Sequence, residues 1–215
     1  MALDTDIALT TYAEVKLQLG LADDTHQSFI EMQINVVSNK IASYCNRNFM
    51  EQTYTDEKYK GDDTLELVLN QRPITALTTL SIDDKDVTTS DVEIESETGI
   101  LYYESVFSSN GYVCGITRHP DLRYNNIKVT YDAGYILPDD AINRTLPYDL
   151  EQACINEVKR NYSNNGAQGT QNIKSWTIES AKKVFTDVSE IVDLKSGFLK
   201  ETKALLDSCY RNWVI

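Results

Sequence analysis

Side chains able to do chemistry are few and scattered along this 215-residue chain. A hydrolytic triad needs a histidine beside a nucleophile and an orienting acid. Only His26 and His119 exist, and neither is accompanied by a Gly-x-Ser-x-Gly turn. His26 falls in the first turn of a predicted helix, on its polar face, and reads as solvated. His119 stands in a loop five residues after Cys114, but no CxxC or HxxxH pair completes a zinc set. Cys45, Cys114, Cys154 and Cys209 lie far apart and read as reduced, and three of them fall within predicted helices, where a free thiol behaves as a small buried hydrophobe. Gly166-Ala-Gln-Gly-Thr170 lacks the lysine of a phosphate loop and follows no core strand. Asp83, Asp84 and Asp86 suggest calcium, yet Thr88 and Ile94 occupy the places where an EF-hand loop needs glycine and glutamate. Glu93, Glu95 and Glu97 alternate as a solvent-facing strand edge, not as a glycosidase pair. The expectation is a protein that is not an enzyme, with no catalytic residue, cofactor or metal site.

Charge narrows the function further. The net charge is −13, from 33 acidic and 20 basic residues. Adhesive nucleic-acid binding rests on lysines and arginines that neutralise phosphates, so this balance argues against it. The acid is unevenly placed: seven acidic residues and one lysine lie between Asp83 and Glu97. No apolar run reaches the 18 or so residues of a membrane span, so no membrane partner is expected. The start MALDTDIALT lacks the basic and apolar regions of a signal peptide, which predicts a protein made in the cytoplasm.

The elements that must position these residues follow from periodicity. Thr11-Tyr-Ala-Glu14 is a capping box opening a first helix, and Gly20 is its left-handed stop. A long helix is predicted from Asp24 to Asn46, with Asp23, Asp24 and Thr25 supplying its cap. Its apolar stripe is Phe29, Ile30, Ile34, Val37, Ile41, Tyr44 and Cys45. About six strands are predicted between Gln52 and Tyr131, antiparallel because their connections are short, with Asp83-Asp84-Lys85-Asp86 a polar turn. Pro147 opens a return to helix, Lys174 to Glu179 reads as a short strand, and a last helix begins near Gly197. The chain ends Tyr210-Arg-Asn-Trp-Val-Ile215, unusually apolar for a terminus. The predicted fold class is α+β: an N-terminal helical hairpin and C-terminal helices form a small bundle around an inserted antiparallel β region. The expected organisation is one domain over 1–215, with helical core 10–49 and 147–210 and β insertion 52–131.

Several of these stretches resemble the head–tail connector (adaptor, head-completion) proteins of tailed bacteriophages. They are Leu9-Thr-Thr-Tyr-Ala-Glu-Val-Lys-Leu-Gln-Leu-Gly20, Asp23-Asp24, Ile34 to Ile41 and Tyr44-Cys-Asn-Arg-Asn-Phe49. Leu67-Val-Leu-Asn-Gln-Arg-Pro-Ile74 and Tyr131-Asp-Ala-Gly-Tyr-Ile-Leu-Pro138 also match, so the likeness covers about the first three-quarters of the chain. The resemblance implies a non-catalytic virion protein of the neck, between capsid and tail. It implies a ring of copies, usually twelve, beneath the portal, which extends the DNA channel and offers a docking surface to a stopper or tail-completion protein. Double-stranded DNA would pass through such a ring without specific binding. A stopper or tail-completion protein, or a non-catalytic protein- or glycan-binding module, are the alternatives.

On this reading Asp83, Asp84, Asp86, Glu93, Glu95 and Glu97 are candidates to face the channel. Tyr210, Trp213, Val214 and Ile215 are candidates to meet the portal or another partner. The polar face of the long helix, with Glu31, Asn35 and Asn39 beside His26 and Gln33, is the candidate subunit-contact face.

Overall fold

Thr11 caps the first helix as its side chain allows: its hydroxyl accepts the amide of Glu14 at 3.3 Å. The helix α1 runs Tyr12–Leu19 and ends on Gly20 in the left-handed region at φ 68°. The structure is a computed structural model that describes residues 2–61, 64–107, 126–139, 143–164, 175–178, 181–184 and 192–212. The chain divides into two compact units, one formed by residues 1–49 with 136–215, the other by residues 50–135.

In the first unit α2 spans Gln27–Cys45 and buries Ile30, Ile34, Val37, Ile41 and Cys45 of the predicted stripe, while Phe29 and Tyr44 are half-buried. Its start differs from expectation. Asp23 accepts the amide of Thr25, while Asp24 accepts both the Lys16 ammonium at 2.6 Å and the Tyr12 hydroxyl at 2.8 Å. Asp24 therefore fastens the interhelical turn to α1 and Asp23 closes the turn itself, and neither caps α2, whose N-cap, His26, makes no side-chain cap. Asn46 ends α2 in the left-handed region at φ 54°, a conformation that asparagine tolerates better than most residues.

The third helix, α3 (Tyr148–Asn164), starts one residue after Pro147. It buries Leu150, Ala153, Cys154, Ile155 and Val158, and with them two carboxylates, Glu151 and Glu157. Both are paired, as burial demands. Glu151 takes Arg144 at 2.7 Å and the Thr10 hydroxyl at 3.2 Å. Glu157 takes Arg160 at 2.8 Å and the backbone amide of Leu199 at 2.6 Å.

Beyond α3 the described segments are a hairpin of β8 (Ser175–Ile178) and β9 (Ala181–Val184), and a C-terminal helix. The sequence predicted only the first of these strands. The last helix begins later than Gly197. Asp193 accepts the amide and hydroxyl of Ser196, Gly197 turns left-handed at φ 69°, and α4 follows at Lys200–Leu205. The chain then continues as one π-helical turn, Leu206–Tyr210.

The described residues of the second unit form seven strands: β1 (Gln52–Tyr59), β2 (Thr64–Val68), β3 (Ile74–Ile82), β4 (Lys85–Val87), β5 (Val92–Glu95), β6 (Ile100–Phe107) and β7 (Ile127–Ala133). They form two antiparallel sheets, of order β1-β7-β3-β4 and β2-β6-β5. Strand alternation turns Ile127, Val129, Tyr131 and Ala133 of β7 inward, where they share one core with Leu67, Leu80, Leu101 and Phe107. Tyr59 and Tyr131 both donate hydrogen bonds to the half-buried carboxylate of Glu57 on the edge strand β1, and Asn70 donates to its other oxygen at 2.9 Å. The extra strand relative to the expected six is β4. Asp83 and Asp84 alone make the tight turn before it, both with positive φ, while Lys85 and Asp86 pair back on β3.

Candidate functional site

The acidic residues singled out in the sequence divide into two groups of different character. At the β3–β4 turn, Asp83 accepts the Asn126 side-chain amide at 3.3 Å, and Asp84 forms an ion pair with Lys128 at 2.7 Å. These charges have local partners that hold the turn. Asp86 stands exposed on β4 opposite Ser81.

Glu93 and Glu95 belong to the outer face of the three-stranded sheet. Register places Glu66, Tyr102 and Glu93 side by side across β2, β6 and β5, and Val68, Ile100 and Glu95 on the next rung. Glu104, farther along β6, is also exposed. No lysine or arginine stands on these two rungs. Tyr102 senses the concentration of charge: desolvation, then Glu95, Glu66 and Glu93, raise its phenol pKa above the ordinary value. Its hydroxyl lies 3.3 Å from Glu95. Glu97 is exposed in the β5–β6 turn. The face is thus a carboxylate surface around a tyrosine, held on rigid strands. Glu66 is a member that sequence reading missed, because only strand register brings it onto the rung of Tyr102 and Glu93.

On α2, Glu31 and Asn35 are half-buried and Asn39 is exposed. Asn35 is tied to the N-terminal segment through Asp4 and Ala2, and Glu31 accepts Gln27 at 2.7 Å. Gln33, expected on the open polar face, is buried, where its carbonyl accepts the side chain of Asn161 at 3.1 Å. His26 is exposed and meets the ring of Tyr162 edge-on at 5.5 Å.

Tyr210 points inward. Its hydroxyl donates to Asp149 at 2.6 Å and its ring packs on Phe49 at 6.1 Å. It is an anchor for its own unit. Trp213, Val214 and Ile215 lie outside the described residues, as do Cys114, His119 and the Gly166–Thr170 stretch. Among the described residues, no three His, Cys, Asp or Glu side chains are grouped to hold a metal, and no helix is long and apolar enough to cross a membrane.

A family model for the head completion protein matches residues 8–194. The chain belongs to the head completion protein family. Members of that family are structural, so this chain's task is assembly and not catalysis. No curated protein matches it significantly. Its fold resembles a chain in the neck of an empty gene transfer agent particle computed with C6 symmetry, with TM-score 0.50 and 13% identity, covering 100% of this chain and 95% of that one. Chains in the native gene transfer agent virion and in the native neck computed with C12 symmetry match with TM-scores of 0.47 and 0.42. Both are also 13% identical and cover 100% of this chain, with 95% and 94% of theirs.

Proposed function

We propose that this member of the head completion protein family is a subunit of the neck between capsid and tail, where twelve copies form a ring beneath the portal. The ring continues the DNA channel, and its far side receives a stopper or tail-completion protein. The observation that carries the reading is the family match over residues 8–194. The neck particles that contain chains of similar fold point the same way.

The carboxylate face of Glu66, Glu93 and Glu95 supplies the physical rationale for a channel wall. DNA phosphates and these carboxylates repel, and screening at physiological salt confines the repulsion to about 8 Å. A wall of this kind keeps moving DNA from adhering without acting on it at a distance. On this reading Glu97 and Asp86 extend the acidic lining, whereas Asp83 and Asp84 chiefly shape their turn. Trp213, Val214 and Ile215 reach the portal from a C-terminal segment that Tyr210 secures.

Negative-stain imaging and native mass spectrometry of the protein alone and mixed with purified portal test the proposal. The expected result is a ring of twelve copies on the portal. A single copy per complex, or a complex only with tail components, would replace it with a stopper or tail-completion role. Glycan or peptide binding by a protein that never meets the portal would make it a binding module.

A further inference from the structure

Helix α2 exposes one face that carries no charge. Ser28, Met32, Val36, Asn39 and Ser43 follow each other at helical spacing and all are exposed, Met32 at 36% and Val36 at 52%. An exposed helix face in a chain with 25% charged residues would ordinarily bear several lysines or glutamates. Here Glu31 and Lys40 flank the stripe without entering it, and Lys40 is turned away to the carbonyl of Gly197 at 2.9 Å.

A second exposed apolar pair stands elsewhere on the same unit. Leu17 lies in the last turn of α1 and Tyr148 begins α3, each 75% exposed. The reciprocal amide bonds of Gln18 and Gln152, at 2.9 and 3.0 Å, hold these two helix ends side by side. Tyr148 lies one turn before Gln152 and therefore on the same face of α3. The Arg144 guanidinium lies 4.3 Å from the Tyr148 ring centre and braces it.

We propose that these two patches are the two halves of one subunit–subunit contact: the α2 stripe of one copy receives Leu17 and Tyr148 of the next. This rests on the ring reading above and names the surface through which the ring closes. Two arguments select a second copy as the occupant. Copies that each carry a charge of −13 approach most easily where the stripe lacks charge and the guanidinium beside Tyr148, Arg144, is already paired with Glu151, whereas a cationic partner would seek the carboxylate face. A ring also needs two different, mutually complementary patches per subunit, so that each contact leaves one patch of each kind free for the next. Size sets the strength. The stripe from Ser28 to Ser43 is about 23 Å long and 10 Å wide, roughly 230 Å², against about 800 Å² per partner for a stable interface. The isolated protein is accordingly monomeric at low concentration, and the contact tightens when copies are held side by side.

Sedimentation velocity over a range of protein concentrations, with and without portal, tests this in the full chain. Wild type should associate at high concentration and form rings on portal. Val36→Asp and Leu17→Asp should each fold, by circular dichroism and melting temperature, and each should weaken self-association by about tenfold or more. Mixed together, the two variants should form one-to-one dimers that grow no further, because each retains one sound patch. Undiminished association of folded Val36→Asp overturns the proposal, as does a mixture that forms no dimers. A drop in the melting temperature of monomeric Val36→Asp would also overturn it, by marking the stripe as covered by its own chain. If wild type never self-associates, even on portal, the ring reading fails as well, which distinguishes the two failures.

Discussion

Tyr44, in the last turn of α2, donates its hydroxyl hydrogen bond to Asp207 at 2.7 Å and so fastens the C-terminal segment to the long helix. Lys203 at 2.9 Å and Arg211 at 3.2 Å complete the carboxylate's surroundings. The Tyr44 bond, followed by the two cations, holds the Asp207 carboxyl below its ordinary pKa of 3.8. A depressed carboxylate pKa means that the folded state prefers the charged form. Its stabilisation is complete well above pH 3.8 and is lost as pH falls through the lower folded value. Asp207→Asn should cost about 1–2 kcal/mol at neutral pH. The melting curves of variant and wild type should converge only as pH falls below 3.8 and through the lower folded value. A constant difference at all pH values would remove the charge from the explanation.

How far the sequence discloses the fold depends on the range of each interaction. Thr11, Gly20 and the Asp83–Asp84 turn are legible because their work is done within a few residues. The cap assigned to Asp23 and Asp24 fails because Lys16 and Tyr12, back on α1, compete for Asp24. Tyr210 reads as a free aromatic at an apolar terminus until Asp149, 61 residues earlier, is seen to hold it. Gln33 looks solvent-facing for the same reason, its partner Asn161 being on another helix. In the acidic face, Glu93 and Glu95 announce themselves by alternation, but Glu66 joins them only through pairing with Tyr102 across β6. Register of that kind is written in no local pattern.

The thiols should separate cleanly by environment. Cys45 and Cys154 are buried and Cys209 is exposed. Burial pushes the Cys154 thiol up to about 12, so at neutral pH almost none of it is the nucleophilic thiolate. In a Cys114→Ser background, a thiol reagent should modify one cysteine per folded chain quickly, and three only after denaturation. Mass mapping should assign the fast site to Cys209. Rapid modification of Cys154 in the folded protein would contradict its burial.

Residues 50–135 should fold when expressed alone. Their two ends already meet, since the amide of Glu51 donates to the carbonyl of Tyr135 at 2.9 Å. The unit has its own core of β-strand side chains. The fragment should show a sheet-type circular dichroism spectrum and cooperative melting. Gly134→Ala should abolish that melting or lower stability by more than about 3 kcal/mol. At φ 123° an added Cβ would lie 2.5 Å from the carbonyl oxygen of Met50, in a backbone conformation side chains rarely adopt. A fragment unfolded in its wild-type form would show instead that the strands depend on the helical residues of the chain.

The carboxylate face makes a prediction about DNA that wild type alone cannot test, because a surface that repels DNA and one that never meets it both give no binding. Glu66→Lys, Glu93→Lys and Glu95→Lys together reverse the charge on both rungs while leaving the strands paired, since all three side chains are exposed. The free triple variant should retain its melting temperature to within a few degrees and acquire weak, sequence-independent DNA binding. That affinity should fall steeply with salt, as each neutralised phosphate releases a counterion. In assembled particles the same change should slow DNA ejection while leaving ring formation intact. If ejection is unchanged in particles that carry the triple variant, the face lies away from the channel, and its glutamates serve to guard the open edge of β5 against pairing with other chains.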